Sequence, residues 1–114
     1  MKKIVLTFLC VLLMACSAQK TQTQIAADKA VEILDNYLNM DITASEAYNQ
    51  IEELYNRVKA LPVEDGSCDK TLLEIYLNGV SFQLSVIKNG GGIVVNYTDK
   101  DVIESKEKIM KACK

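Results

Sequence analysis

The chain has 114 residues, 13 of them basic and 15 acidic, with no histidine and no tryptophan. The absence of histidine removes the commonest general base at neutral pH and the usual nitrogen ligand for zinc. A net charge of -2 with no basic stripe argues against nucleic acid as a partner. Tyr37, Tyr48, Tyr55, Tyr76 and Tyr97 supply most of the aromatic content, a thin basis for a carbohydrate-stacking platform.

Lys2 and Lys3 precede an apolar run over residues 4–14, broken only by Thr7 and Cys10. A membrane-spanning helix takes about 20 apolar residues, so this run is too short to cross a bilayer permanently. It is apolar all round, unlike an amphipathic helix packed on a core, and it reads as a secretory signal. Cys10 follows Leu9, which is too large for the small-residue position before a cut, so Cys10 leaves with the signal.

The last four residues of that stretch, Leu13-Met14-Ala15-Cys16, resemble the lipobox of bacterial lipoproteins. The resemblance implies cleavage before Cys16 and attachment of a diacylglyceryl group, carrying acyl chains such as palmitate, to the Cys16 thiol. Stable anchoring needs two acyl chains, and such a group provides them. The implied location is the bacterial cell envelope, with the chain lipid-anchored to a membrane on its extracytoplasmic side. The alternative is cleavage after Ala18, giving a free secreted protein, but Cys16 then occupies the third-last position and matches poorly.

On this reading residues 1–15 are a lipoprotein signal peptide, 16–23 a polar tether, and 24–114 one small helical domain. Losing Lys2 and Lys3 leaves 11 basic against 15 acidic residues, a balance of -4. With Cys16 lipidated, Cys68 and Cys113 remain, and an even count in an exported domain reads as one disulfide. The alternatives are two separate buried thiols or a metal pair, the latter a poor zinc site without histidine.

Residues 17–23 are small and polar, as a tether requires. Over residues 24–40, Ala26, Ala30, Ile33, Leu34, Tyr37 and Leu38 recur at helical steps, with Lys29, Glu32, Asp35 and Asn36 on the other side. Thr43 stands three residues before Glu46, the spacing of a capping box, and opens a second helix that Pro62 ends. The short link between them predicts antiparallel packing. The run Ile42-Thr43-Ala44-Ser45-Glu46-Ala47-Tyr48, together with the lipobox and the polar tail helix, resembles small helical lipoproteins of bacteria over residues 42–61. That resemblance carries no functional residues. Glu52 and Glu53 are neighbours about 100° apart on the helix, which suits a solvated face better than paired acid–base chemistry.

Residues 70–97 allow two readings. As strands, Asn78-Gly79 is a hairpin turn that pairs Leu77 with Val80, Ile75 with Phe82 and Leu73 with Leu84; Ile93-Val94-Val95 then supply a third strand. As a helix, Leu73, Tyr76, Leu77, Val80, Leu84 and Ile87 form one stripe. Ile75, Phe82 and Val86 widen it, which suits a helix buried on two sides. The helix is preferred because leucine dominates and its neighbours are helical, at a cost of about 1 kcal/mol for Gly79. Thr98 or Asp99 then caps a last helix running to about Cys113, whose end meets Cys68 if the two elements are antiparallel.

The expected fold is mainly α, a bundle of four antiparallel helices; the alternative is α+β with a hairpin or meander at about 70–97. No residue is assigned to catalysis, a metal or a cofactor. Asn89-Gly90-Gly91-Gly92 leads into Ile93-Val94-Val95 rather than a helix with Lys-Ser/Thr, so it reads as a loop and not a phosphate cradle. Asp99, Asp101 and Glu104 lack the glycine of a calcium loop and suit a helix N-terminus. The function expected is that of a non-enzymatic cell-envelope lipoprotein: a protein-binding or accessory module at the membrane surface, held there by the lipid on Cys16, with an envelope protein as partner. The alternatives are a small apolar-ligand carrier, with a pocket lined by Tyr37, Tyr55 and Leu84, or a secreted immunity or exclusion protein.

Overall fold

Four polar residues, Thr21, Thr43, Asp69 and Thr98, each stand one position before a helix. The computed structural model describes residues 21–63, 68–90 and 96–113. Within them the helices are α1 (Gln22–Leu38), α2 (Ala44–Lys59), α3 (Lys70–Lys88) and α4 (Asp99–Ala112). The signal, the lipobox, Cys16 and the segment Ile93-Val94-Val95 lie outside the described residues.

The caps explain the starts. Thr21 Oγ1 accepts the Gln24 N–H at 3.1 Å, and Asp69 Oδ1 accepts the Leu72 N–H at 3.1 Å. Thr43 and Glu46 form the reciprocal pair expected from their spacing, at 3.0 and 3.1 Å. At Thr98 the N–H donates to Asp101 Oδ2 at 2.8 Å. Asp101 therefore reaches back as a capping carboxylate. One boundary differs from the sequence reading. The first helix begins at Gln22, inside the expected tether, because Thr21 caps it and Thr23 is buried in its first turn.

Each helix buries one stripe. Ala26, Ala30, Ile33 and Leu34 of α1 meet Ala47, Ile51, Leu54 and Val58 of α2. Leu73, Leu77, Val80 and Leu84 of α3 and Val102 and Ile109 of α4 complete the core. The helices form a ring in which α1 touches α2, α2 touches α3, α3 touches α4 and α4 returns to α1. The short α1–α2 turn makes those two antiparallel, and end-to-end contacts show it for the others. Tyr37 near the end of α1 bonds Asp99 at the start of α4, and Lys88 at the end of α3 stacks on Tyr48 near the start of α2. Cys68 before α3 pairs with Cys113 after α4.

The bundle expected from sequence is the one observed, and the hairpin alternative is not. Asn78 and Gly79 lie inside the single helix α3. Burying four large side chains along one face stabilises α3 by several kcal/mol, which outweighs the roughly 1 kcal/mol helix penalty of glycine. Gly90, at φ 85°, ends α3 with its N–H on the Ile87 carbonyl at 3.0 Å. No helix among the described residues is long and apolar enough to cross a membrane.

The turn after α1 carries a strained residue. Met40 has φ 65°, the left-handed position that glycine usually fills at a helix end. Its N–H bonds the Tyr37 carbonyl at 3.0 Å, and the Asp41 N–H bonds the Asn36 carbonyl at 2.8 Å. The Met40 side chain is 90% exposed, so no packing repays the strain. Met40→Gly is expected to raise stability by about 0.5–1 kcal/mol, read as a higher denaturant midpoint with an unchanged slope.

Candidate functional site

Of the residues singled out from sequence, Cys68 and Cys113 are brought together. Their sulfurs stand 2.02 Å apart, at disulfide distance. The backbone joins there too, with the Asp69 N–H donating to the Ala112 carbonyl at 2.8 Å. Cys113 is buried, and its Sγ lies 4.0 Å from the Thr23 carbonyl oxygen in the first turn of α1. This end of the ring therefore ties three helices.

The polar side chains that reach between helices act as fasteners. Lys106 of α4 pairs with Asp35 of α1 at 2.6 Å, and Ser105 of α4 donates to Gln83 of α3 at 2.9 Å. Ser81 of α3, buried, donates to Glu52 of α2. Glu52 and Glu53 thus divide differently from the sequence reading. Glu53 is exposed and pairs with Arg57 at 3.0 Å, whereas Glu52 is half-buried against α3. The missed signal was Ser81, a small hydroxyl on the core side of α3 with space beside it for a carboxylate.

Two surface pockets are defined by described residues. One, about 330 Å³, is a groove between α1 and α2 lined by Lys29, Ile33, Gln50, Glu53, Leu54 and Arg57. The other, about 350 Å³, lies at the α1–α2 turn and includes Tyr37, Met40, Ile42, Glu46 and Asp99. Tyr37, Tyr55 and Leu84, the trio expected for a carrier, do not share either pocket. Tyr37 lines the second, Leu84 is fully buried, and Tyr55 carries Lys59 over its ring at 5.2 Å.

The unusual surface is the outer side of α3. The exposed faces of α1, α2 and α4 are mostly charged: Asp28, Lys29 and Glu32; Glu53, Arg57 and Lys59; Lys100, Glu104, Glu107, Lys108 and Lys111, with Ile25 on α1 and Ile103 and Met110 on α4 as exposed apolar residues among them. Between its terminal lysines, α3 has a single charged residue, Glu74, and that carboxylate is half-buried and paired with Lys70 at 2.8 Å. Opposite its core stripe, α3 instead shows Leu72, Ile75, Gly79, Phe82 and Val86, at steps of three, four, three and four. Those steps hold one face of a helix. Leu72 is 38% exposed, Ile75 57% and Phe82 56%. Phe82 is held in place by the edge of Tyr97, whose ring stands 5.9 Å away at 82°. With about half of each large side chain open, these three residues present roughly 300 Å² of apolar surface, within the range of the largest patches on monomers. The sequence placed Ile75, Phe82 and Val86 on a helix buried on two sides; the fold covers only one.

No family model matches this chain, and no curated protein or solved structure matches it either.

Two expectations follow. Replacing Cys68 and Cys113 together by serine removes a crosslink across 45 residues and should lower stability by about 2–4 kcal/mol, measured by denaturation. Burial raises the Tyr37 phenol above its ordinary 10.0, and the hydrogen bond and negative charge of Asp99 add to the effect. The folded state favours the protonated phenol, so its stabilisation is complete below pH 10.0 and is lost as pH rises through the raised folded value. A spectroscopic phenolate titration should include a tyrosine step above pH 10.0 that disappears in Tyr37→Phe.

Proposed function

We propose that the chain is a non-enzymatic lipoprotein of the bacterial cell envelope, anchored through Cys16, whose helical domain binds protein through the outer face of α3. The observation that carries the binding role is the uncharged, apolar side of α3, where Leu72, Ile75 and Phe82 lie on one face, on a domain whose other helices show mainly charge to solvent. A face of this kind loses little on desolvation and gains from burial, which is the composition of an interface core. Phe82, large and already oriented by Tyr97, has the character of an anchor residue.

The anchor rests on the residues of the leader, Lys2, Lys3, the apolar run and Leu13-Met14-Ala15-Cys16. A domain of about 90 residues with one crosslink suits an exported module. The partner expected is another protein of the envelope, reached at the membrane surface.

Intact mass of the membrane-fraction protein, with and without reductant before thiol alkylation, tests this reading. The expected product begins at Cys16, carries a diacylglyceryl group, and has Cys68 and Cys113 alkylated only after reduction. Cys16→Ser should leave the chain unlipidated. A soluble product beginning at Gln19 would overturn the anchor, and free alkylation of both remaining thiols would overturn the crosslink.

A further inference from the structure

Gly79 is a costly residue for its place in the fold. It sits in the middle of the 19-residue helix α3, where glycine costs about 1 kcal/mol relative to alanine. No contact among the described residues accounts for it. A Cβ built on Gly79 meets nothing within 4 Å, and its φ is not positive. The residue lies at the centre of the outer stripe, seven positions after Leu72, four after Ile75, three before Phe82 and seven before Val86. A glycine at that point lets a second backbone come close, with large side chains closing on either side.

We infer that the outer face of α3 is the docking surface for a second copy of this chain, the two α3 helices crossing at Gly79. This inference rests on the protein-binding reading of the same face. Three features select a second copy over a different occupant. The stripe has nearly the same spacing in both directions from Gly79, so a two-fold axis there sets apolar residue against apolar residue. A two-fold contact also brings residues near the axis close to their own mates, where any charge would meet its like. The flanking residues Thr71, Tyr76, Asn78, Gln83 and Ser85 are uncharged, while the terminal lysines are engaged elsewhere, Lys70 with Glu74 and Lys88 on Tyr48. Finally, two such faces bring together roughly 600 Å² of apolar surface, the size of a weak, transient interface. Confinement of lipid-anchored copies to one membrane raises their effective concentration, which favours a contact of that size.

The test places a photo-crosslinking residue at Ile75 in the full chain, in its own membrane fraction. Ile25, exposed on α1 diagonally across the ring, is the control position. The Ile75 probe is expected to give an adduct of twice the chain's mass, with both crosslinked peptides from this chain, and the Ile25 probe much less of it. Gly79→Glu places a charge at the crossing of each copy and should cut that adduct about tenfold or more. Helix content and the unfolding midpoint of the variant should not fall, because its side chain enters open space and glutamate favours helix. A doubled-mass adduct that persists in Gly79→Glu overturns the assignment. Adducts from Ile75 to a different protein overturn it as well, but leave the protein-binding reading intact. No adduct from Ile75 at all sinks both.

Discussion

Leu34, Ile51, Leu77, Leu84 and Ile109 come from four different helices and are all removed from water in one seam. The rest of the structure depends on that seam. Each helix has one apolar stripe, and a single stripe of this width can be hidden only against others of its kind. Four stripes converge most economically as a ring, which is why α1 meets both α2 and α4 while α2 and α4 do not touch. Helix propensity alone would not hold any of the four, since isolated helices of this length are marginal in water.

Polar contacts decide which helices are neighbours more than how stable the ring is. Tyr37 with Asp99 and Lys106 with Asp35 close the ring between its first and last helices. Ser81 with Glu52 and Ser105 with Gln83 set α3 against its two neighbours. Partly exposed pairs of this kind contribute little net energy, but a wrong register leaves their charges and hydroxyls unpaired. The Cys68–Cys113 pair acts on the unfolded chain instead, holding the start of α3 beside the end of α4 before the seam forms.

Charge is distributed unequally over this scaffold. Three helices set an apolar inner stripe against an outer face that is mainly charged, with Ile25, Ile103 and Met110 as isolated exceptions. α3 departs from that pattern, with apolar residues on both sides and a glycine at the middle of the outer one. The fold uses the inner side fully, and nothing inside the ring requires the outer. A helix built for two layers in a domain with one is the basis for assigning that face to association.

Three helices were legible in the chain because each has a single dominant apolar face; a threonine cap is readable for two of them, at Thr43 and Thr98, while the Thr21 cap of the first lies among residues that read as tether. The Thr43–Glu46 pair and the break before Pro62 needed no tertiary information. The meeting of Cys68 and Cys113 followed once their elements were read as antiparallel helices. Residues 70–88 were different, because a run apolar on both sides satisfies a period of two nearly as well as one of 3.6. Local sequence even offered a hairpin turn at Asn78-Gly79, and only packing of Leu73, Leu77, Val80 and Leu84 into the seam decided for the helix. Tertiary structure also decided which apolar face of α3 went inside, leaving Leu72, Ile75 and Phe82 in water, and it turned Glu52 inward to Ser81. Those outcomes depend on what lies opposite each side chain, and local sequence determines only which residues share a face.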